Sequence, residues 1–285
     1  PWPKIDQLLQ GGLGNGDFGL IFGNPGGGKS WSLVAIGGHA VRLGYNVLHY
    51  TLELGEEYVG KRYDAFFTKI PVNKVDSHRD KIEEILPQLP GKLIIKEYPT
   101  GRASVSTIES HIAKSTSMGV KPDMVIIDYV DLLSSRKTNR ERKDEIDDIY
   151  TSTKGLARQL NIPIWSVSQV NRAGAQDKVI QGDKAAGSYD KIMITDFCMS
   201  LSRKKEDKVN NTGRFHLMKN RYGMDGITFG LEADTSTGHF IVKDEYVEGE
   251  ESENFEPSSK SNKFDTDVDT FDKQLLRKKF FELNP

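Results

Sequence analysis

Eight residues early in the chain have the types and spacing to hold a phosphate chain: Gly23-Asn24-Pro25-Gly26-Gly27-Gly28-Lys29-Ser30, followed by Trp31. They fit the pattern G-x-x-x-x-G-K-[ST]. Its glycines let successive backbone N–H groups turn inward and approach phosphate oxygens with no Cβ in the way. The apolar run 18–22 before the loop reads as a strand, and the stretch 29–43 after it reads as a helix. The helix N-terminus then adds a partial positive charge at the same point. Lys29 is placed to reach β- and γ-phosphates, and the Ser30 hydroxyl to ligate Mg²⁺. The plain alternative is a glycine-rich turn capped by Ser30. Strand, loop and helix all agree with phosphate binding instead.

Three further polar residues close apolar runs. Asp128 ends Met124-Val-Ile-Ile-Asp128. A carboxylate at the end of a buried strand is costly unless it is paired or serves a metal, so Asp128 is the candidate carboxylate beside Mg²⁺, with a helix N-cap or loop acid as the alternative. Glu53 closes Tyr50-Thr-Leu-Glu53. In an open parallel sheet ligands sit outside the carboxyl ends of strands. Glu53 would stand there as the base that polarises an attacking water. Glu56 and Glu57 are nearby rivals, but they suit the start of the next helix, where acids complement the dipole. Gln169 follows the run 164–168, and an amide there can sense a γ-phosphate by hydrogen bonding. A polar strand end would explain Gln169 equally well.

These residues need a sheet to bring them together. Candidate strands are 18–22, 46–52, 93–98, 124–128 and 164–168, and candidate helices are 29–43, 56–69, 104–118 and 144–160. Continuous apolar strands alternating with helices predict an α/β fold with a mainly parallel sheet covered on both faces. Later strands near 195–202, 214–219, 227–232 and 239–243 lack long helices between them and read as an antiparallel extension on the C-terminal side. The composition is that of a globular protein, 36% hydrophobic and 28% charged over 285 residues. A single cysteine, Cys198, rules out an internal disulfide framework. No run approaches the length of a membrane span, and no secretory signal opens the chain, so a cytoplasmic location is expected. The chain starts at Pro1 rather than methionine, as expected of a fragment or processed product.

The formal net charge of −2 hides unlike parts. Residues 244–272 carry −9 and residues 273–285 carry +3, which leaves +4 on residues 1–243. The acidic stretch 244–270 is too poor in apolar residues to offset its ordering entropy and reads as a flexible linker. Residues 271–285 turn amphipathic, with Phe271, Leu275, Phe280 and Leu283 at roughly helical spacing. That helix could pack back on the body or dock on a partner. The domain expectation is therefore a body 1–243, a linker 244–270 and a terminal helix 271–285.

Several motifs stand in one order: Gly12-Leu13 to Gly16-Asp17, then Gly23 to Ser30, Thr51-Leu-Glu53-Leu, Ile127-Asp128-Tyr129-Val-Asp131-Leu132, residues 156–163, Ser168-Gln169-Val-Asn-Arg172, and Lys219-Asn-Arg221-Tyr-Gly223. In this set the chain resembles the ATPase domain of DnaB-type replicative helicases, within the RecA-like phosphate-loop ATPases. It is most similar to those of T-even-type phages through Gly44-Tyr-Asn-Val-Leu48, Lys96-Glu-Tyr-Pro-Thr100 and Arg221-Tyr-Gly223. The resemblance covers residues 3–243. It implies a homohexameric ring with ATP and Mg²⁺ bound between subunits, and single-stranded DNA in a central channel with movement 5′ to 3′. It further implies forked DNA as substrate; a primase, helicase loader or polymerase is the partner expected for the C-terminal tail or a missing N-terminal domain.

The resemblance assigns roles to further residues. Lys219 and Arg221 match a basic hairpin that reaches the neighbour's γ-phosphate, where a guanidinium can stabilise charge on the transferred oxygens. A solvated basic turn is the alternative. The family's two DNA-contacting loops correspond to residues 134–143 and 171–188. The first holds five bases, Arg136, Lys137, Arg140, Arg142 and Lys143, against one acid. It can neutralise phosphates whatever the base sequence, but it has no aromatics for stacking. Arg172 opens the second. Arg62 and Arg102 receive no role. The resemblance implies two departures: the family's collar domain and linker helix are not visible before Pro1, and Asp131 stands where the family pattern often has an amide. Two other readings share the ATP site, a recombinase or recombination mediator that forms filaments, and an ATP-gated oligomeric scaffold that does no work on DNA.

Overall fold

In a computed structural model of the chain, residues 1–135, 141–170, 179–181 and 189–246 are described. The expected linker from residue 247 on and the terminal helix lie outside these residues, as do Arg136, Lys137, Arg140 and Arg172.

The helices are α1 (Pro3–Leu8), α2 (Lys29–Arg42), α3 (Glu56–Thr68), α4 (Arg79–Ile85), α5 (Val105–Ser117), α6 (Arg142–Leu160), α7 (Tyr189–Ile194) and α8 (Lys205–Val209). The strands are β1 (Phe18–Gly23), β2 (Val47–Thr51), β3 (Leu93–Glu97), β4 (Met124–Asp128), β5 (Ile164–Gln169), β6 (Phe197–Ser202), β7 (Thr212–Asn220), β8 (Thr228–Asp234) and β9 (His239–Glu245). They form one sheet in the order β3-β2-β4-β5-β1-β6-β7-β8-β9.

β1 is buried along its whole length. Successive side chains of a strand face opposite sides. Phe18, Leu20 and Phe22 accordingly enter the apolar layer shared with α5 and α6, while Ile21 enters the layer shared with α2 and α3. This is why the strand reads as an unbroken apolar run: both faces are covered. α5 starts at a reciprocal cap, in which the Thr107 amide donates to Ser104 Oγ at 3.3 Å and the Ser104 amide donates to Thr107 Oγ1 at 3.1 Å.

The structure differs from the sequence expectation in the sheet and at the start of the chain. β6, expected to open the antiparallel extension, runs parallel to β1. The connection from β5 to β6 is long enough for the crossover that a parallel pair needs. Only β7, β8 and β9 are antiparallel. β9 continues through Asp244 and Glu245, and Lys4 pairs with Asp244 at 2.5 Å, so the body extends past residue 243. α1 was not expected. Its short apolar face is anchored by Trp2, which lies 4.8 Å from the Phe215 ring, and by Ile5.

The phosphate-loop helix α2 packs tightly on α3. A Cβ on Gly38 would lie 2.4 Å from the Phe66 ring, and one on Gly37 would lie 2.3 Å from the Tyr63 hydroxyl. By helix propensity alone, alanine would gain about 1 kcal/mol over glycine. Overpacking decides the sign here, and Gly38→Ala should lose roughly 1–3 kcal/mol in urea denaturation. A more stable variant would contradict this packing.

Burial also fixes a pH dependence. His49, fully buried on β2, accepts or donates a 2.8 Å hydrogen bond with the Tyr63 hydroxyl, and burial pushes its pKa down to about 3. Burial likewise pushes His39 down to about 3. An unfolded histidine titrates near 6.5, so between these values the unfolded chain binds more protons. Stability should therefore fall as pH drops below about 6.5. The urea midpoint at pH 5.5 is expected below that at pH 7.5, and equal midpoints would contradict neutral buried histidines.

Candidate active site

The carboxyl ends of the parallel strands lie side by side. Gly23 at the end of β1 is in register with Gln169 at the end of β5, and Thr51 at the end of β2 is in register with Asp128 at the end of β4. The phosphate loop leaves β1 at this edge. Gly26 and Gly28 take φ of +64° and +102°, a region that a side chain would strain. The Gly27 amide and the Lys29 ammonium both donate to the Asn24 carbonyl at 3.0 Å. The loop thus closes on itself, with the first amides of α2 left for a ligand.

Lys29 is 8% exposed. Burial lowers its pKa, and the charges of Asp128 and Glu53 oppose that. Asp128 is 2% exposed. Burial raises its pKa, against a hydrogen bond from the Ser30 hydroxyl and the charges of Arg62 and Lys29. One Asp128 oxygen, Oδ1, is buried without a hydrogen-bond partner among the described residues. A buried carboxylate oxygen so placed, next to the Ser30 hydroxyl, suits a hard cation. The donor set fits Mg²⁺, which binds through one or two protein oxygens plus phosphates and waters rather than a protein cage.

Glu53 lies exposed just past β2, and both Lys29 and Asp128 feel its charge. Glu56 and Glu57 begin α3, as expected. Gln169 is exposed and its Nε2 lies 3.4 Å from the Tyr129 hydroxyl. Trp31 follows the loop on α2. Its ring is buried against Gly238 and Arg62, whose guanidinium carbon stands 5.2 Å from the ring centre. Arg62 is therefore a member of the site that received no role from the sequence. Its signal was present: on α3 it shares the buried side with Val59 and Phe66, three residues before and four after it.

Lys219 and Arg221 are not at this edge. Lys219 Nζ donates to the carbonyls of Ile192 and Met193 at 2.9 and 2.7 Å, capping the end of α7. Arg221 Nη1 donates to Asp196 Oδ1 at 2.8 Å. Asp196 is 1% exposed and sits just before β6. Its Oδ2 accepts the Phe18 amide at 2.8 Å and also pairs with Lys154. Phe18 begins β1, whereas the phosphate loop follows its end. At about 3.3 Å per residue, the strand separates Arg221 from its own phosphate loop by roughly 16 Å. Lys154 gives the buried Asp196 a second cation besides Arg221, so its charge does not depend on the guanidinium alone.

Of the basic residues assigned to DNA, Arg142 and Lys143 fall in the first turn of α6 rather than in a loop. Arg142 pairs with Glu145 at 3.1 Å and donates to the Asp131 carbonyl at 2.8 Å, and Lys143 pairs with Asp190 at 2.9 Å. These exposed pairs are weak enough to open for a phosphate.

An open sheet carrying a phosphate loop and a strand-end carboxylate beside its serine defines a nucleotide-binding domain of the phosphate-loop class. The family model of the DnaB-like helicase C terminal domain matches residues 2–254, and the chain belongs to that family. It is 23% identical over 235 residues to the DnaB-like replicative helicase of Enterobacteria phage T4, across 77% of this chain and 49% of that protein. It is 26% identical over 257 residues to the replicative DNA helicase DnaB of Mycoplasma genitalium, across 82% and 54% of the two. The chain thus spans about half the length of these curated relatives. A solved DnaB-like replicative helicase, described with its interactions with primase, matches with a TM-score of 0.73 at 23% identity over 84% of this chain and 62% of that one. A solved ATPase domain matches with the same TM-score at 24% identity, over 84% of this chain and 89% of that one. Among the readings open to the sequence, the family match favours the helicase.

Asp128 gives the prediction. Asp128→Asn removes a buried charge and should leave the ligand-free protein at least as stable at pH 7. Mg²⁺ should then no longer add to the stabilisation that ATP confers in a thermal shift assay. Unchanged Mg²⁺ dependence would remove Asp128 from the metal site.

Proposed function

We propose that this chain is the motor of a ring-shaped replicative helicase, in which ATP is hydrolysed between neighbouring subunits to move along single-stranded DNA and open a fork. The observation that carries the reading is the separation of Arg221 from its own phosphate loop by the length of β1. A guanidinium at one edge of the sheet and phosphate ligands at the other make two half-sites, which only a head-to-tail neighbour can join. Head-to-tail contacts close into rings when the rotation closes. Tyr222 and Met224 on the Arg221 turn are exposed, as is Met193 at the end of α7, which supports an apolar contact there.

Within the joined site, the loop amides and Lys29 bind the β- and γ-phosphates. Ser30 and Asp128 hold Mg²⁺, which would neutralise charge developing on the phosphate oxygens. Glu53 accepts the proton of the attacking water, and Gln169 hydrogen-bonds the γ-phosphate. Arg221 of the neighbour, assisted by Lys219, stabilises the transferred oxygens. Basic residues in 134–143 and 171–188 contact DNA phosphates without reading sequence. The −9 stretch 244–272 stays off the DNA by like charge and is left for a primase, loader or polymerase. The motor works in the cytoplasm, as a homohexamer.

In purified protein, Lys29→Ala and Glu53→Gln should each lower ATP turnover by about 100-fold or more without lowering the melting temperature. Single-stranded DNA should stimulate the unsubstituted protein, and stimulation should weaken with salt. Normal turnover in both variants would remove the assignment of the site. Turnover indifferent to DNA at every salt concentration would favour a scaffold over a motor.

A further inference from the structure

Asp131, which receives no role from the sequence, has its counterpart in the structure. Lys191 on α7 forms an ion pair with Asp131 Oδ1 and donates to Ser168 Oγ at 3.0 Å. The other Asp131 oxygen accepts the Tyr150 hydroxyl at 3.1 Å, and the Lys191 ammonium lies 5.3 Å from the Tyr150 ring centre. Lys191 and Asp131 side chains are only 12% and 14% exposed. Neither charge can be left alone at that depth without a large penalty.

Both residues that Lys191 grips are close in the chain to groups of the ATP site. Asp131 is three residues past Asp128, and Ser168 immediately precedes Gln169. One ammonium therefore ties the end of β4 to the end of β5. The helix that carries it ends in the Ile192 and Met193 carbonyls that hold Lys219. At its other end, Asp190 pairs with Lys143 of α6. A turn and a half of helix thus touches the metal-side strand, the γ-phosphate-sensing strand and the basic hairpin.

We propose that Lys191 is a positioning residue for ATP hydrolysis: bridging Asp131 and Ser168, it fixes the strand ends carrying Asp128 and Gln169 against each other and against the helix that holds Lys219. This rests on the function proposed above. Lys191 does not touch the nucleotide. It acts by keeping groups on three elements in one arrangement, where a displacement near 1 Å can cost about 100-fold in rate. The pair is also the means by which a charge at position 131 is tolerated, since the aspartate and the lysine compensate each other.

The test is a double-mutant cycle in the full chain: Lys191→Gln, Asp131→Asn and both together. Steady-state ATP turnover is measured with and without oligodeoxythymidylate, with KM for MgATP and the melting temperature of each protein. Each single change strands one buried charge, and each should lower kcat by about 10-fold or more with KM within about two-fold of the unsubstituted protein. The double change leaves two amides that can hydrogen-bond, and kcat should return to within about three-fold. Unchanged kcat in the single variants would overturn the proposal. So would a double variant showing the product of the two single losses. If the single variants simply melt, the double variant still decides: a folded double variant with full kcat supports exchangeable positioning, and one folded but inactive contradicts it. No turnover in the unsubstituted protein would overturn the motor reading itself, and Lys191 with it, which is a result distinct from a failed cycle.

Discussion

The arrangement depends on one carboxylate that the fold buries without fully satisfying. Asp128 closes β4 at 2% exposure with Oδ1 unpartnered among the described residues, and burial raises its pKa. A group in that position costs stability unless cations gather around it. Three features answer that cost: the Ser30 hydroxyl, the Lys29 ammonium and the Arg62 guanidinium. Each is delivered by an element whose path is set by packing. α2 brings Lys29 and Ser30 to the edge because β1 is sandwiched between two apolar layers and the loop turns through glycines. α3 brings Arg62 because its apolar side packs against the close-approach glycines of α2.

The second organising fact is that the sheet has two working edges. The carboxyl edge of the parallel strands gathers the phosphate loop, Asp128 and Gln169, the candidate phosphate and metal ligands. At the amino edge, Asp196 holds Arg221 and also caps the start of β1 through the Phe18 amide. The antiparallel strand β7 makes this possible. It runs back along β6, so its end returns to the amino edge, with Lys219 and Arg221 beside the start of β6. An all-parallel sheet would have placed that basic pair at the same edge as the phosphate loop. Reversing the strand direction separates Arg221 from the phosphate loop, and the proposed sharing of the site between subunits rests on that separation.

Much of this was legible in the residues, for physical reasons. The five strands from 18–22 to 164–168 appear within a residue or two of expectation, because strands covered on both faces must be apolar throughout. Asp128, Glu53 and Gln169 lie at or just past strand ends, as read, because buried strands end their apolar runs with polar residues. What the sequence hid was pairing across distance. The parallel direction of β6 depends on the crossover that precedes it, not on its own residues. Arg142 and Lys143 read as loop bases because charge alone does not mark a helix start. Asp131 could not be explained until Lys191, sixty positions away, was found against it. Asp196 gave little signal for the same reason: a lone acid before a strand reveals neither Lys154 nor Arg221.

The central claim is that the site is completed by a neighbour. It is tested most directly by ATP turnover in mixed oligomers of Arg221→Ala and Glu53→Gln chains, each inactive by itself. In the mixture, some contacts pair an intact Glu53 with an intact Arg221 from the other chain. Turnover should then reappear, because those contacts hold every group that the chemistry needs. Oligomers shown to contain both chains, yet inactive, would contradict an arginine supplied between subunits.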